Sequence, residues 1–385
     1  MRAITNGKIY TITNGIFDPG TVLMDGGRIV AVGEKVDLPP GTEVVDVKGA
    51  WVFPGFIDAH THLAVGGEGF GMGHADYNEA FDPVTPHLRA IDAVFPEDVG
   101  LRDAVSVGIT TAGVTPGSAN VIGGQGVVIK TQGRTVAEMT LGPWGMKAAL
   151  GENPKMVYGE QKKMPSTRLG IAAVLRDQLV KAQNYLEKVK KAAGNPDKLP
   201  ERDLKLEALA EVIKGELPLR VHAHRADDIM TALRVGEEFG LRVIIEHCTE
   251  GHKVAKELAR RGVSCTVGPT FGARSKVELR DKSWRTPAAL AEAGVRFAII
   301  SDHPFSNVRF LPLFAGLAVR EGLPEEAALR AITIDAAALV GQEARLGSIE
   351  AGKDADLVVL SGHPFSLKTQ TLYTFINGEL VYSRN

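Results

Sequence analysis

The chain has 385 residues, 44% of them hydrophobic and 23% charged, with a formal net charge of −2 at pH 7. This is the balance of an ordinary globular protein. With no long run of one charge sign it argues against a nucleic-acid or polybasic membrane partner, and no run of about 18 apolar residues offers a transmembrane helix. Two cysteines, Cys248 and Cys265, are too few for a disulfide framework, and the N-terminus lacks an apolar leader, so a cytoplasmic protein is expected.

The length suits one large barrel with a lesser domain. The first fifty residues read as short β segments, "RAITNGKIYTI", "GTVLMDGGRIVAVG" and "TEVVDVKGAWVF", punctuated by Asn-Gly, Pro-Gly and Gly-Gly turns. The texture then changes to short apolar runs alternating with helical segments such as 169–193 and 201–217. Eight runs read as strands: 52–58, 108–114, 126–131, 145–150, 218–222, 242–247, 263–267 and 296–301. The third and fourth are short and close together. Strand–helix alternation predicts an α/β protein with a parallel sheet and helices outside, and first and last strands about 240 residues apart suit a (β/α)8 TIM-type barrel. The Lys-rich "KVKKAAGNPDK" reads as a solvated helix end. The last forty residues resume the β style, so the two ends are expected to meet in a small composite β-sandwich. The predicted domains are a discontinuous sandwich of 1–51 and 346–385 and a barrel of 52–345. No internal repeat is visible.

In a barrel of this kind the active site forms at the C-terminal ends of the strands. Strand one runs into His60 and His62, strand five into His222, strand six into His247, and strand eight into Asp302. Residues two apart on a strand share a face, so His60 and His62 can grip one ion. Imidazole and carboxylate donors suit zinc and similar divalent ions. Any one histidine alone reads as an ordinary hydrogen-bonded residue. Convergence at one mouth, at spacings of whole barrel units, points instead to a metal site.

"GAWVFPGFIDAHTHL", "VHAH", "IIEHC", "IISDHP" and "LGSIEAGKDADLVVL" resemble the metal-dependent amidohydrolase superfamily, in its imidazolonepropionase-like branch, over nearly the whole chain. The resemblance implies a barrel with a composite β-sandwich and hydrolysis of a C–N bond, amide or cyclic amide, of a small molecule by metal-activated hydroxide. It implies that His60, His62, His222 and Asp302 bind a divalent metal, most simply zinc, as one or two ions. His247 would hold a second metal or hydrogen-bond the substrate carbonyl. Asp302 would accept the water's proton and pass it to the leaving nitrogen. Many members bridge two ions with a carboxylated lysine or a glutamate at the fourth strand. Here Lys147 and Glu152 stand in that region.

The two His-x-His pairs are not equivalent. Leu219, Val221 and Ala223 fit a helix-facing side, leaving Arg220, His222 and His224 toward the barrel. One strand rung rises about 6–7 Å, so His222, at the strand end, is the expected ligand and His224 the substrate-facing catalytic neighbour. The glycine-rich 115–133 and the loop 268–284, with Arg274, Lys276 and Arg280, are expected to shape the pocket, the latter toward a substrate carboxylate. His74 and Glu79 follow strand one and are further candidates for its lining. His252, His303 and His363 are expected to be structural, and Cys248 to face the helices. Two alternatives stay open: an aminohydrolase that deaminates a heterocycle, and a non-catalytic barrel scaffold. His224 stands where deaminases often place a glutamate. A homo-oligomer is expected only from the general frequency of symmetric enzymes.

Overall fold

A computed structural model describes residues 1–67, 73, 75–192 and 194–384. Five strands come first: β1 (Arg2–Tyr10), β2 (Ile16–Asp25), β3 (Arg28–Gly33), β4 (Glu43–Asp46) and β5 (Trp51–Pro54). The middle of the chain supplies β6 (Phe56–Thr61), β7 (Ile109–Val114), β8 (Ile122–Lys130), β9 (Thr140–Ala149), β10 (Leu219–Ala223), β11 (Val243–His247), β12 (Cys265–Val267) and β13 (Phe297–Ile299). The chain ends with β14 (Leu357–Leu360), β15 (Thr371–Ile376) and β16 (Glu379–Ser383).

Both chain ends enter one eight-stranded sheet, ordered β16-β15-β14-β5-β1-β2-β3, with β4 also paired to β1. Gly26 and Gly27, at φ +53° and +80°, form the two-residue turn between β2 and β3, a conformation that hairpins of this length require. Alternation along these strands buries Ile4, Ile9, Val22, Val52, Val359 and Phe375 in a core of their own. The N- and C-terminal β segments therefore do meet.

The second sheet also has eight strands, ordered β13 through β6, and it curls into a nearly closed barrel. The eight expected strands all occur, with two departures. The run 52–58 is two strands, because Pro54 leaves the terminal sheet and Gly55 turns the chain into the barrel. A Cβ at Gly55 would lie 2.2 Å from Thr110 Oγ1, so only glycine passes there. Secondly, β8 is antiparallel to both β7 and β9. Residues 115–121 are too few for the crossover that a parallel neighbour needs, about a dozen residues or more. The chain turns straight back, and β8 begins four residues before the expected strand 126–131, taking in residues 122–125 of the glycine-rich segment. The remaining neighbours are parallel. Among the described residues no ladder joins β6 to β13. The seam is spanned by the His62 N–H donating to His303 O at 2.7 Å and by the Ser301 N–H facing the Asp58 carboxylate at 3.2 Å.

Helices cover the outside. Arg168–Lys191 is capped by Thr167, whose hydroxyl accepts from the Gly170 N–H, and Leu204–Ile213 by Asp203. Leu175, Leu179, Leu209, Ile229 and Leu233 share one buried core with Val221, Ala223 and Ile245 of the barrel. Lys188, Lys190 and Lys191 end the long helix, where cations complement its dipole. No described helix is long and apolar enough to cross a membrane.

Lys130 of β8 connects the two sheets. Its Nζ lies 2.6 Å from Asp356 and 3.0 Å from Asp354, all three groups being at most 3% exposed. Removing one partner of a buried ion cluster leaves uncompensated charge, at about 3–5 kcal/mol. Lys130→Met is expected to lower unfolding stability by that amount in urea titration, and a change below about 1 kcal/mol would deny the cluster this role.

Candidate metal centre

The elements bring six ionisable side chains to the C-terminal mouth of the barrel. His60 lies in β6 within a register shift between Asp58 and Thr61, and His62 stands just past the strand end. His222 lies in β10 and His224 just beyond it. On β11, Ala223 pairs with His247 and His222 with Glu246. Simple alternation would send His247 outward with Ala223 and only Glu246 inward with His222. The backbone overrides this: His247 and Cys248 have φ of +69° and +42°, left-handed values that return the His247 imidazole to the mouth. Asp302, beyond β13, is likewise left-handed at +55°. Cys248 packs in the helix-facing core, and both cysteines are free and buried.

Two groups of donors result. One atom each from His60, His62 and Asp302 lie within 4.8 Å of one another, and the same holds for His222, His224 and His247. The His60 and His247 rings, 4.8 Å apart, join the groups. His224 thus stands beside His222, their rings 4.6 Å apart, because it lies past the strand end where rung spacing no longer separates them. Asp302 Oδ1 lies 3.5 Å from His60 Nε2 and 3.4 Å from His62 Nε2.

The far side of most rings is tied to protein. His60 Nδ1 is 2.6 Å from Glu246 Oε2, His62 Nδ1 is 2.7 Å from Thr115 O, and His247 Nδ1 is 2.8 Å from Gly268 O. His224 Nδ1 shares a 2.7 Å hydrogen bond with Thr249 Oγ1. By contrast, among the described residues both nitrogens of buried His222 and Asp302 Oδ1 have no hydrogen-bond partner. Bare buried polar atoms are destabilising by about 1–3 kcal/mol each, and nitrogen and carboxylate donors left bare at one place are what a divalent cation fits.

The electrostatics agree with that fit. Burial, with neighbouring charges, holds His60, His222 and His224 well below the usual imidazole range. Burial alone would raise the Asp302 carboxyl, but His247, His62 and His60 outweigh it and keep it well below the ordinary carboxylate range. Ligation requires these states, neutral imidazole and ionised carboxylate. Lys147 Nζ stands 3.2 Å from His60 Nε2, and burial lowers its pKa to about 8.

The mouth opens into a cavity of about 350 Å³ whose outer lining includes Ser118, Asn153, Phe271, Lys276 and Phe305. Of the basic residues expected there, Lys276 lines it, whereas Arg274 donates to the Arg280 and Lys282 carbonyls and Arg280 is exposed. Glu152 stands outside both donor groups; its carboxylate accepts from the Glu278 N–H at 3.1 Å. Glu79 is exposed, and His74 lies outside the described residues. His252 bonds Thr286, and His363 pairs with Glu325.

Three residues escaped the sequence reading. Glu278 is buried in the loop 268–284, its Oε1 3.7 Å from His224 Nε2 and 3.9 Å from His222 Nε2. It ends no strand, so nothing in its spacing signals the site. Tyr77 stacks on His62 at 4.9 Å. Glu246 was legible, since it directly precedes a strand-end histidine.

Residues 51–381 match the model of the amidohydrolase family. Among curated proteins, the chain is 31% identical to the amidohydrolase tasK of Hapsidospora irregularis, aligning over 93% of its own length but spanning only 39% of that protein. It is 28% identical to the imidazolonepropionase of Symbiobacterium thermophilum, over 89% of this chain and 84% of that one. A crystal structure of an amidohydrolase from Thermotoga maritima superposes with a TM-score of 0.97 at 44% identity, covering both chains completely. A barrel with buried histidines and an aspartate at its mouth, over a chain that matches on this scale, belongs to the amidohydrolase family, in its imidazolonepropionase-like branch, and is a hydrolase of carbon–nitrogen bonds.

Proposed function

We propose that the protein hydrolyses an amide or cyclic amide bond of a small molecule, with a divalent cation, zinc by donor chemistry, held by His60, His62 and Asp302 facing His222 and His247. The observation that carries this reading is the buried His222 ring and Asp302 Oδ1, bare among the described residues, at a mouth where burial holds His60, His222 and His224 well below the usual imidazole range. Such a cation, as one or two ions, supplies Lewis acidity and lowers the pKa of water toward neutrality. Zinc suits this set, as three or four nitrogen and oxygen donors leave room for water.

The chain's own groups do the rest. Asp302 is an ionised carboxylate with one oxygen that has no hydrogen-bond partner among the described residues, able to take a proton from water and hand it to the leaving nitrogen. His247, its Nδ1 N–H donating to Gly268 O, turns a bare Nε2 toward the centre as a ligand, and a neutral ring so held has no second proton to give a substrate carbonyl. His224, its ring fixed by Thr249 and its other nitrogen facing Glu278, addresses the substrate. Phe271 and Phe305 give the cavity apolar walls and Lys276 a cationic one. The same reading divides the chain into a catalytic barrel and a domain built from both chain ends; the separate apolar core of the terminal strands, which includes Val52, moves the expected boundary from 51/52 to Pro54–Gly55, with 346–385 completing the terminal domain.

Asp302→Asn is expected to keep the wild-type melting temperature and lose about 10²–10⁴-fold in kcat, as removal of a proton-transfer group does; near-normal turnover would take Asp302 out of the reaction. Elemental analysis after zinc-supplemented expression should find bound zinc in the wild type. His224→Ala should retain that metal and lose activity, and loss of metal would make His224 a ligand instead. A screen of N-acyl amino acids, dipeptides, lactams and imidazolones against zinc-loaded protein should yield a new carboxylate. Ammonia release from a heterocycle without acid formation would replace the reading with a deaminase.

A further inference from the structure

Beneath the mouth lies a charged group that the proposed chemistry leaves unused. Arg220 and Glu246 point into the barrel from adjacent strands and are fully buried. Arg220 Nε donates to Glu246 Oε1 at 2.6 Å, and its Nη1 donates to Leu339 O at 2.8 Å. The guanidinium lies 3.8 Å from the centre of the Trp144 ring, and Trp144 Nε1 donates to Ala59 O at 2.7 Å, beside His60. The other carboxylate oxygen of Glu246 accepts from Thr266 Oγ1 at 2.7 Å and stands 2.6 Å from His60 Nδ1. A buried ion pair is weak evidence of a stability role, because desolvation of both charges offsets their attraction. Its place in the barrel needs another reason.

The hydrogen-bond accounting supplies one. As the partner of Arg220, Glu246 only accepts, so the proton of a neutral His60 sits on Nδ1 and the Nε2 lone pair faces the mouth. The Lys147 ammonium, 3.2 Å from Nε2, is a donor on that side and agrees with this tautomer. His62 and His247 are fixed in the same sense by backbone carbonyls, His224 meets a hydroxyl, and His222 has no hydrogen-bond partner among the described residues. Among the described residues, His60 is the one of the five with a carboxylate hydrogen-bonded to its Nδ1. An anion there makes Nε2 a stronger donor than a carbonyl does.

We infer that Glu246 is a positioning residue that fixes the His60 tautomer and strengthens Nε2 as a cation donor, with Arg220 and Thr266 holding its carboxylate in place. This rests on the proposed role of His60 as a ligand, and it assigns the charged pair under the centre to cation affinity rather than to folding.

The test compares wild type, Glu246→Gln, and the double variant Arg220→Met with Glu246→Gln, which removes both charges together and so leaves no unpaired ion. Zinc affinity is measured by chelator competition, and the His60 ring nitrogens by ¹⁵N spectroscopy of metal-free protein, assigned through a His60→Asn control. Affinity should fall about 10–100-fold in any variant that folds, and metal-free wild type should show His60 protonated on Nδ1. Wild-type affinity in either variant, or a metal-free His60 protonated on Nε2, would overturn the inference. If neither variant folds, the pair serves folding and the inference fails as well. Wild type that binds no zinc while its His60 shows the Nδ1 proton would refute the proposed function instead, leaving the Glu246–His60 contact intact.

Discussion

A neutral imidazole presents one bare nitrogen and one N–H, and a buried N–H must be given an acceptor before the bare nitrogen can face a cavity. The mouth of this barrel is organised around that requirement. Thr115 O serves His62, Gly268 O serves His247, and Glu246 serves His60. Each acceptor comes from a different strand or strand end than the ring it holds. Ring orientation is therefore set by how the strands lie together, and a site of this kind cannot form in an isolated strand. His222 is the exception, with both nitrogens bare, and it shows where the protein leaves bonding capacity unfilled.

The requirement conflicts with strand geometry, which sends successive side chains to opposite faces. Glu246 must lie under the site and His247 within it, though they are consecutive. Left-handed backbone at His247 and Cys248 resolves the conflict, and the same device at Asp302 turns its carboxylate toward His60 and His62. Non-glycine residues in that region carry about 1–3 kcal/mol of strain each. The surrounding packing and hydrogen bonds hold it, at the positions where the chemistry is.

Holding the strands is the work of the seam and of the second sheet. Without a ladder between β6 and β13, the His62 N–H and the Asp58 carboxylate span the gap, so one residue of the proposed centre is also part of the closure. Burial raises the Asp58 pKa to about 7, against its hydrogen bonds from Ser301 and His60. At the other end, Gly55 lets the chain leave the terminal sheet and enter the barrel against Thr110, and Lys130 ties β8 to Asp354 and Asp356. The terminal strands thus grip the barrel at its first strand and its antiparallel one.

Much of this was legible in the chain. Strand–helix texture revealed eight barrel strands and two β ends that meet, because strands buried on both faces read as short apolar runs set apart by longer helical segments. Histidines and an aspartate at strand ends marked the mouth, since a parallel barrel gathers those ends at one place. The antiparallel β8 was not legible, because hydrophobic runs carry no direction and only the short link before it forbids a crossover. Nor was the grouping of His224 with His222 and His247, the exclusion of Glu152, or the approach of Glu278 from a loop. Those depend on backbone angles past the strand ends and on contacts across more than a hundred residues of chain, as between Glu152 and Glu278. Local pattern determined which residues have the right chemistry, and only the closed packing of the sheet decided which of their atoms meet.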